Sequence, residues 1–121
     1  MGRNIWIAAG CALACATASG QASAASQKQI AGLAAYYSAD YKGRTASGAP
    51  YDPNKFTCAH RTLPFGTRLR VTDARNHRSV TVVVNDRGPF TNGRVIDLSL
   101  AAAKSLKMID RGLTRVTASV E

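Results

Sequence analysis

Apolar and polar positions alternate most cleanly in two neighbouring stretches of this chain. Over residues 67–72, Leu69 and Val71 fall on one face and Arg68 and Arg70 on the other; over 79–85, Val80, Val82 and Val84 share a face. A period of two marks a half-buried strand, and the polar turn expected over 73–77 joins the pair into a hairpin. Further strands are expected over 32–38, which is apolar and Tyr-rich, over 94–98, and over 114–120, where Val116, Ala118 and Val120 share a face. Residues 39–51 and 86–93 are rich in Gly, Ser, Thr, Asp and Pro and read as two long loops. Residues 26–30 read as a polar lead-in, 54–59 as a short helical turn, and Leu63-Pro64-Phe65-Gly66 as a turn feeding a strand. The Ser99 hydroxyl is a good acceptor for the first free N–H groups of a helix, which is expected to run through about Met108.

Short strands, one helix and two long loops point to a small β-barrel, in which closure leaves no bare sheet edge. The first residues do not fit that pattern. Arg3 is followed by the uncharged apolar run 5–18, and Gln21-Ala22-Ser23-Ala24 offers small residues for a cut after Ala24. This is the form of a secretory signal peptide, and the run is shorter than the roughly 20 residues a spanning helix needs. Cys11 and Cys15 each follow a small residue, so lipidation at one of them is the alternative, and it would hold the protein at a membrane. The expected organisation is a signal peptide over 1–24, a lead-in over 25–31, and one domain over 32–121, acting outside the cytoplasm as a monomer in the periplasm or cell envelope.

Composition narrows the partners. With the leader removed, Cys58 is the one cysteine left, so an internal disulfide is unavailable. It reads as a half-buried structural Cys, with a reactive thiol as the alternative. The net charge of +9 becomes +8 when Arg3 leaves, with 15 Lys and Arg against 7 acidic residues. A basic surface suits polyanions. For an exported chain these are the carboxylates and anionic polymers of the wall rather than nucleic acid, and the cations are dispersed rather than run together.

Two residues are the leading candidates for chemistry. Asp86 continues the row Val80, Val82, Val84, which places it where the core opens at the end of the barrel, beside an apolar wall that would favour its neutral form. By the same alternation Arg87 should point away from it. The competing reading of Asp86 is an ion pair with an Arg or a cap on the following turn. His60 is suited to orienting an acid or moving a proton, and equally to being a buried His satisfied by backbone. His77 lies in the hairpin turn and reads as surface. Asp52 before Pro53 reads as a turn-former, and Asp97 as a tie to Arg94 or a backbone amide. Tyr36, Tyr37, Tyr41, Tyr51, Phe65 and Phe90 are candidates for stacking on sugar rings, although several must fill the core. The lone Trp6 lies in the leader. No metal-ligand spacing, cofactor loop or G-x-S-x-G elbow is present.

Four blocks carry a resemblance: Gly43-Arg44-Thr45-Ala46-Ser47-Gly48, Ala59-His60-Arg61-Thr62-Leu63-Pro64-Phe65-Gly66-Thr67, Val84-Asn85-Asp86-Arg87-Gly88-Pro89-Phe90 and Arg94-Val95-Ile96-Asp97-Leu98-Ser99, followed by Ala102 and Ala103. Together they resemble the rare lipoprotein A (RlpA) family over about residues 32–120. The resemblance implies a mainly β fold, a six-stranded double-psi β-barrel with one or two short helices. It implies cleavage of the β-1,4 bond between N-acetylmuramic acid and N-acetylglucosamine in peptidoglycan glycan strands, without water. It gives catalytic roles to Asp86 and His60, with Tyr37, Thr45, Ser47, Asn85 and Arg87 as the residues expected to hold substrate. The family usually places a Glu after T-A-S-G, where this chain has Ala49, and the one Glu of the chain is Glu121. That departure supports the rival reading of a non-catalytic, expansin-like wall-binding module. A third class, an exported inhibitor or assembly protein docking through the barrel, rests on fold analogy alone.

Overall fold

The computed structural model describes residues 29–121. The expected leader, Cys11, Cys15, Trp6 and most of the lead-in lie outside the described residues. Six strands form a closed barrel: β1 (Gln29–Tyr36), β2 (Thr57–Ala59), β3 (Arg68–Asp73), β4 (Ser79–Asp86), β5 (Arg94–Leu98) and β6 (Thr114–Val120), with helix α1 (Leu100–Ser105) between the last two. Around the barrel the order is β1-β5-β2-β4-β3-β6. Two pairs, β1 with β5 and β2 with β4, run parallel; the other four are antiparallel. This is the expected double-psi barrel.

The inward rows are those the alternation marks. Leu69, Val71, Val82, Val84, Val116 and Ala118 are buried, joined by Ala34, Ile96 and Leu98 and by Ala102, Ala103, Leu106 and Met108 around α1. β3 and β4 form the expected hairpin, in which Leu69 pairs with Val82 and Val71 with Val80. The Ser99 hydroxyl caps α1 by accepting from the Ala102 N–H.

Four expectations are corrected. Residues 57–59 are a strand, not part of a helical turn: Cys58 and Ala59 pair with β4 on one side and β5 on the other. β1 starts at Gln29, because Gln29 and Ile30 pair with Ser119 and Ala118. The helix stops at Leu106, where Lys107 turns left-handed at φ 57°; Leu106 and Met108 are both buried, so the apolar pattern outlasts the helix. Cys58 is fully buried rather than half-buried, and desolvation, with the charge of Asp97, pushes its thiol up to about 12. A thiol held in that form is not a nucleophile at neutral pH.

One glycine is needed for strand approach. A Cβ on Gly32 would lie 2.6 Å from Cγ1 of Val95, on the strand that β1 joins in parallel. Gly32→Ala is expected to destabilise the fold by about 1–3 kcal/mol through overpacking. Urea unfolding measures it, and an unchanged midpoint would show that β1 and β5 separate without cost.

Candidate active site

Asp86 is the last residue of β4; it pairs with Ala59 at the end of β2, and Ala59 pairs in turn with Asp97 of β5. Its neighbours on the core side of β4, Val82 and Val84, are buried, while Asp86 is half-buried, so the inward row ends on a carboxyl at the rim.

The surroundings of that carboxyl differ from the apolar wall expected. Oδ1 accepts from the backbone N–H groups of Ala46 at 2.7 Å and Arg87 at 2.8 Å. Oδ2 accepts from the Tyr37 hydroxyl at 2.5 Å. Polar donors on both oxygens replace the apolar surface because the 39–51 loop folds back over the rim. Ser47 N–H donates to the carbonyl of Asn85, Thr45 N–H and its hydroxyl donate to the carbonyl of Ala49, and Arg44 bridges to Pro50. Thr45 is buried inside this loop, with its hydroxyl 2.8 Å from that of Ser47.

Tyr37 is held on two sides. Its ring stacks on Tyr51 at 4.5 Å between centroids and lies 5.2 Å from Tyr41. Tyr51 in turn accepts from the Leu100 N–H at 3.0 Å, which ties the stack to the start of α1. Burial, then the hydrogen bond to Asp86 and the charges of Asp86 and Asp97, push the Tyr37 hydroxyl well above its ordinary value. It therefore remains a donor across the neutral range.

His60 follows β2 directly, and its N–H donates to the carbonyl of Asp86 at 3.2 Å. The two candidates are thus joined through the backbone. His60 Nδ1 accepts from the N–H groups of Thr62 and Leu63, both at 3.1 Å. An acceptor at Nδ1 puts the proton of the neutral ring on Nε2. Arg87 does point away from Asp86, as expected: its guanidinium donates to the carbonyls of His60 at 3.1 Å and Leu63 at 2.8 Å, and lies 4.2 Å from the Phe65 ring centroid. It clamps the turn that carries His60.

Other residues separate into roles. Asp52 makes a turn by accepting from Asn54 N–H, and Asp97 pairs with Arg94 at 2.5 Å, both as expected. His77 is exposed in its turn. Tyr36 packs on the core and donates to the carbonyl of Ile109, whereas Phe90 is 77% exposed beside the rim. The backbone N–H of Ala46 was not legible as a site group, since an amide carries no side-chain signal. Among the described residues no group of three or more His, Cys, Asp or Glu could hold a metal.

Tyr37→Phe separates two roles for that residue. The ring stack on Tyr51 is kept and the donor to Asp86 is lost. If the activity that the resemblance implies resides at Asp86 and Tyr37 positions it, kcat should fall about 10- to 150-fold with KM nearly unchanged, as for a hydrogen bond to a charged group worth roughly 1.5–3 kcal/mol. Steady-state kinetics on glycan strands, the substrate that the resemblance implies, would read the split, and a raised KM at constant kcat would assign the hydroxyl to binding instead.

Fold and site define a double-psi barrel with a carboxyl held at its rim. A family model described as lytic transglycolase matches residues 29–118. The chain is 54% identical over 92 residues to the probable endolytic peptidoglycan transglycosylase RlpA of Nostoc sp., covering 74% of this chain and 25% of that protein. It is 51% identical over 86 residues to the endolytic peptidoglycan transglycosylase RlpA of Haemophilus influenzae, covering 70% of this chain and 30% of that one. The chain belongs to this lytic transglycolase family, with RlpA proteins among its relatives, and spans under a third of the length of these two. Among solved structures, Streptomyces papain inhibitor is 29% identical with TM-score 0.62, covering 77% of this chain and 94% of that one. The expansin of Clavibacter michiganensis shares the fold, at 21% identity and TM-score 0.61 over 78% of this chain and 50% of that one.

Proposed function

We propose that this protein is a lytic transglycosylase that cuts the β-1,4 bond between N-acetylmuramic acid and N-acetylglucosamine in peptidoglycan. The observation that supports it most is the Asp86 carboxyl, held by three donors at the open end of the barrel in a family of lytic transglycolases. Both backbone N–H groups act on Oδ1, so Oδ2, whose partner is the Tyr37 hydroxyl, is the oxygen that exchanges a proton with the substrate in this reading. The Tyr37 oxygen beside it either donates or accepts.

The chemistry then needs one carboxyl. Asp86 Oδ2 gives its proton to the glycosidic oxygen, the bond from that oxygen to C1 of the muramic acid breaks, and N-acetylglucosamine leaves as the 4-hydroxyl. The 6-hydroxyl oxygen of the same muramic acid bonds to C1, and its proton passes to the Asp86 carboxylate. The product carries a 1,6-anhydro ring and the acid is restored. A glycosidase using water needs a second carboxyl to activate it or to attack the sugar; here the nucleophile is built into the substrate and needs positioning above all. On this reading Ala49, which has no acid to offer, is tolerated. His60 polarises the site from Nε2, and Ser47, Asn85, Arg87 and the Thr45 loop shape the glycan groove. The protein acts as a monomer in the cell envelope, exported by residues 1–24 or held there by lipid at Cys11 or Cys15.

Ala49 also supports a second reading, a wall-binding barrel without activity. Incubation of the protein with purified sacculi and with peptide-stripped glycan strands tells the two apart by mass spectrometry. Anhydro-muramic ends are expected. Firm, salt-sensitive sedimentation with sacculi and no new products would assign the binder.

A further inference from the structure

The pole opposite Asp86 carries a pocket that the proposed reaction does not use. β4 runs from Ser79 to Asp86, so at a rise of about 3.3 Å per residue the two poles lie about 23 Å apart along that strand. At the far pole a pocket of about 370 Å³ is lined by Arg75, Asn76, Lys107, Asp110 and Arg111.

Its floor is closed by a hydrogen-bonded network. Asp73 is fully buried and accepts from Arg111 Nη2 at 2.8 Å, from the Thr114 hydroxyl at 3.2 Å and from the Arg75 N–H at 2.7 Å. Arg111 also donates to Thr114 and to the carbonyl of Lys107. Asn76 is held between the carbonyl of Leu106 and the N–H of Arg78. Its walls, by contrast, carry uncommitted charge. None of the ion pairs among the described residues engages Arg75, Lys107 or Asp110. Lys107 stands at φ 57° directly after the helix cap, a place where glycine is the usual residue.

We propose that this pocket binds an α-amino acid head group, a carboxylate and an ammonium on one carbon, such as a wall peptide presents. Arg75 and Lys107 receive the carboxylate above the Arg111 guanidinium, and Asp110 receives the ammonium. The mixed signs decide between ligands. A phosphate polymer or a nucleic acid would gain from the two cations but meet Asp110, whereas a zwitterion satisfies all three. The inference is independent of cleavage at Asp86, and the pocket lies too far away to touch the scissile bond.

The test is a titration of isotope-labelled protein followed by amide NMR. The probes are meso-diaminopimelate, which carries this head group at each end, its N-acetylated form, and inorganic phosphate. Shifts are expected at residues 75–76 and 107–111, with binding at least fivefold weaker in Arg75→Ala, Lys107→Gln and Asp110→Asn, weaker again for the N-acetylated probe, and unchanged in Asp86→Asn. Glycan cleavage is read separately, so either result can fail alone. Phosphate binding as tightly as the amino acid, with Asp110→Asn strengthening it, would overturn the assignment in favour of a plain anion site. Absence of shifts, or shifts centred on Asp86, would overturn it altogether.

Discussion

Asp86→Asn is expected to lower the rate of glycan cleavage by about 10²–10⁴, the usual contribution of a positioned general acid–base group. The substitution is close to isosteric. Its carbonyl oxygen still accepts from Ala46 and Arg87, and its amide meets the Tyr37 oxygen, which accepts as well as donates. The rim loop therefore keeps its tether, and what is lost is a group able to give and retake a proton. Melting temperature and sedimentation with sacculi should stay close to those of the unaltered protein. Cleavage that survives the change would move the acid elsewhere, and among the described residues of the rim His60 would be the next candidate.

The second large effect is on stability. Asp73→Ala is expected to destabilise the barrel by about 2–4 kcal/mol at neutral pH, somewhat below the roughly 3–5 kcal/mol typical of breaking a buried pair. The discount reflects Arg111, whose side chain is 22% exposed and regains some water, whereas Asp73 has no exposure. The effect should depend on pH. Burial alone raises the Asp73 carboxyl, but hydrogen bonding and charge from Arg111, the Arg75 N–H and the Thr114 hydroxyl outweigh it and hold the group below its ordinary value. A carboxyl lowered by folding adds stability that is full above the unfolded-state value of about 3.9 and is lost as pH falls through the folded-state value. Urea unfolding of both proteins from pH 7 down into strong acid should show the gap between them shrinking. A constant gap would mean that packing, not the ion pair, carries the contribution.

Much of the barrel could be read from side-chain alternation, and the departures have physical causes. β3 to β4 and β6 are half-buried strands, in which a period of two records which side faces the core. β2 has three residues, lies between two other strands, and offers too few positions for any period to show. The Ser99 cap was legible because one hydroxyl marks it. The helix end was not, because Leu106 and Met108 are both buried while the backbone between them turns left-handed. Asp73 was read as turn polarity, yet it continues the inward row Leu69, Val71 by one step; its partner Arg111 is 38 residues away, a pairing that needs the closed fold.

The site shows the same division. Asp86 stood out because it ends an apolar row, and Arg87 was placed correctly by alternation. The polar shell of Asp86 was missed because it is assembled from a loop amide, Ala46, and a tyrosine at the end of another strand, 40 and 49 residues away. Neither position carries a local signal for that contact. Such long-range hydrogen bonds replace the apolar wall with donors on both oxygens of Asp86.

In the proposed mechanism one carboxyl suffices because the substrate supplies its own nucleophile. Cleavage of peptide-stripped glycan strands in ¹⁸O-labelled water tests it directly. Muramic ends one water lighter than hydrolysis products, with no ¹⁸O incorporated, are the result this account predicts. Reducing muramic ends carrying ¹⁸O would contradict it, since water would then be the nucleophile and a second catalytic group would have to activate it.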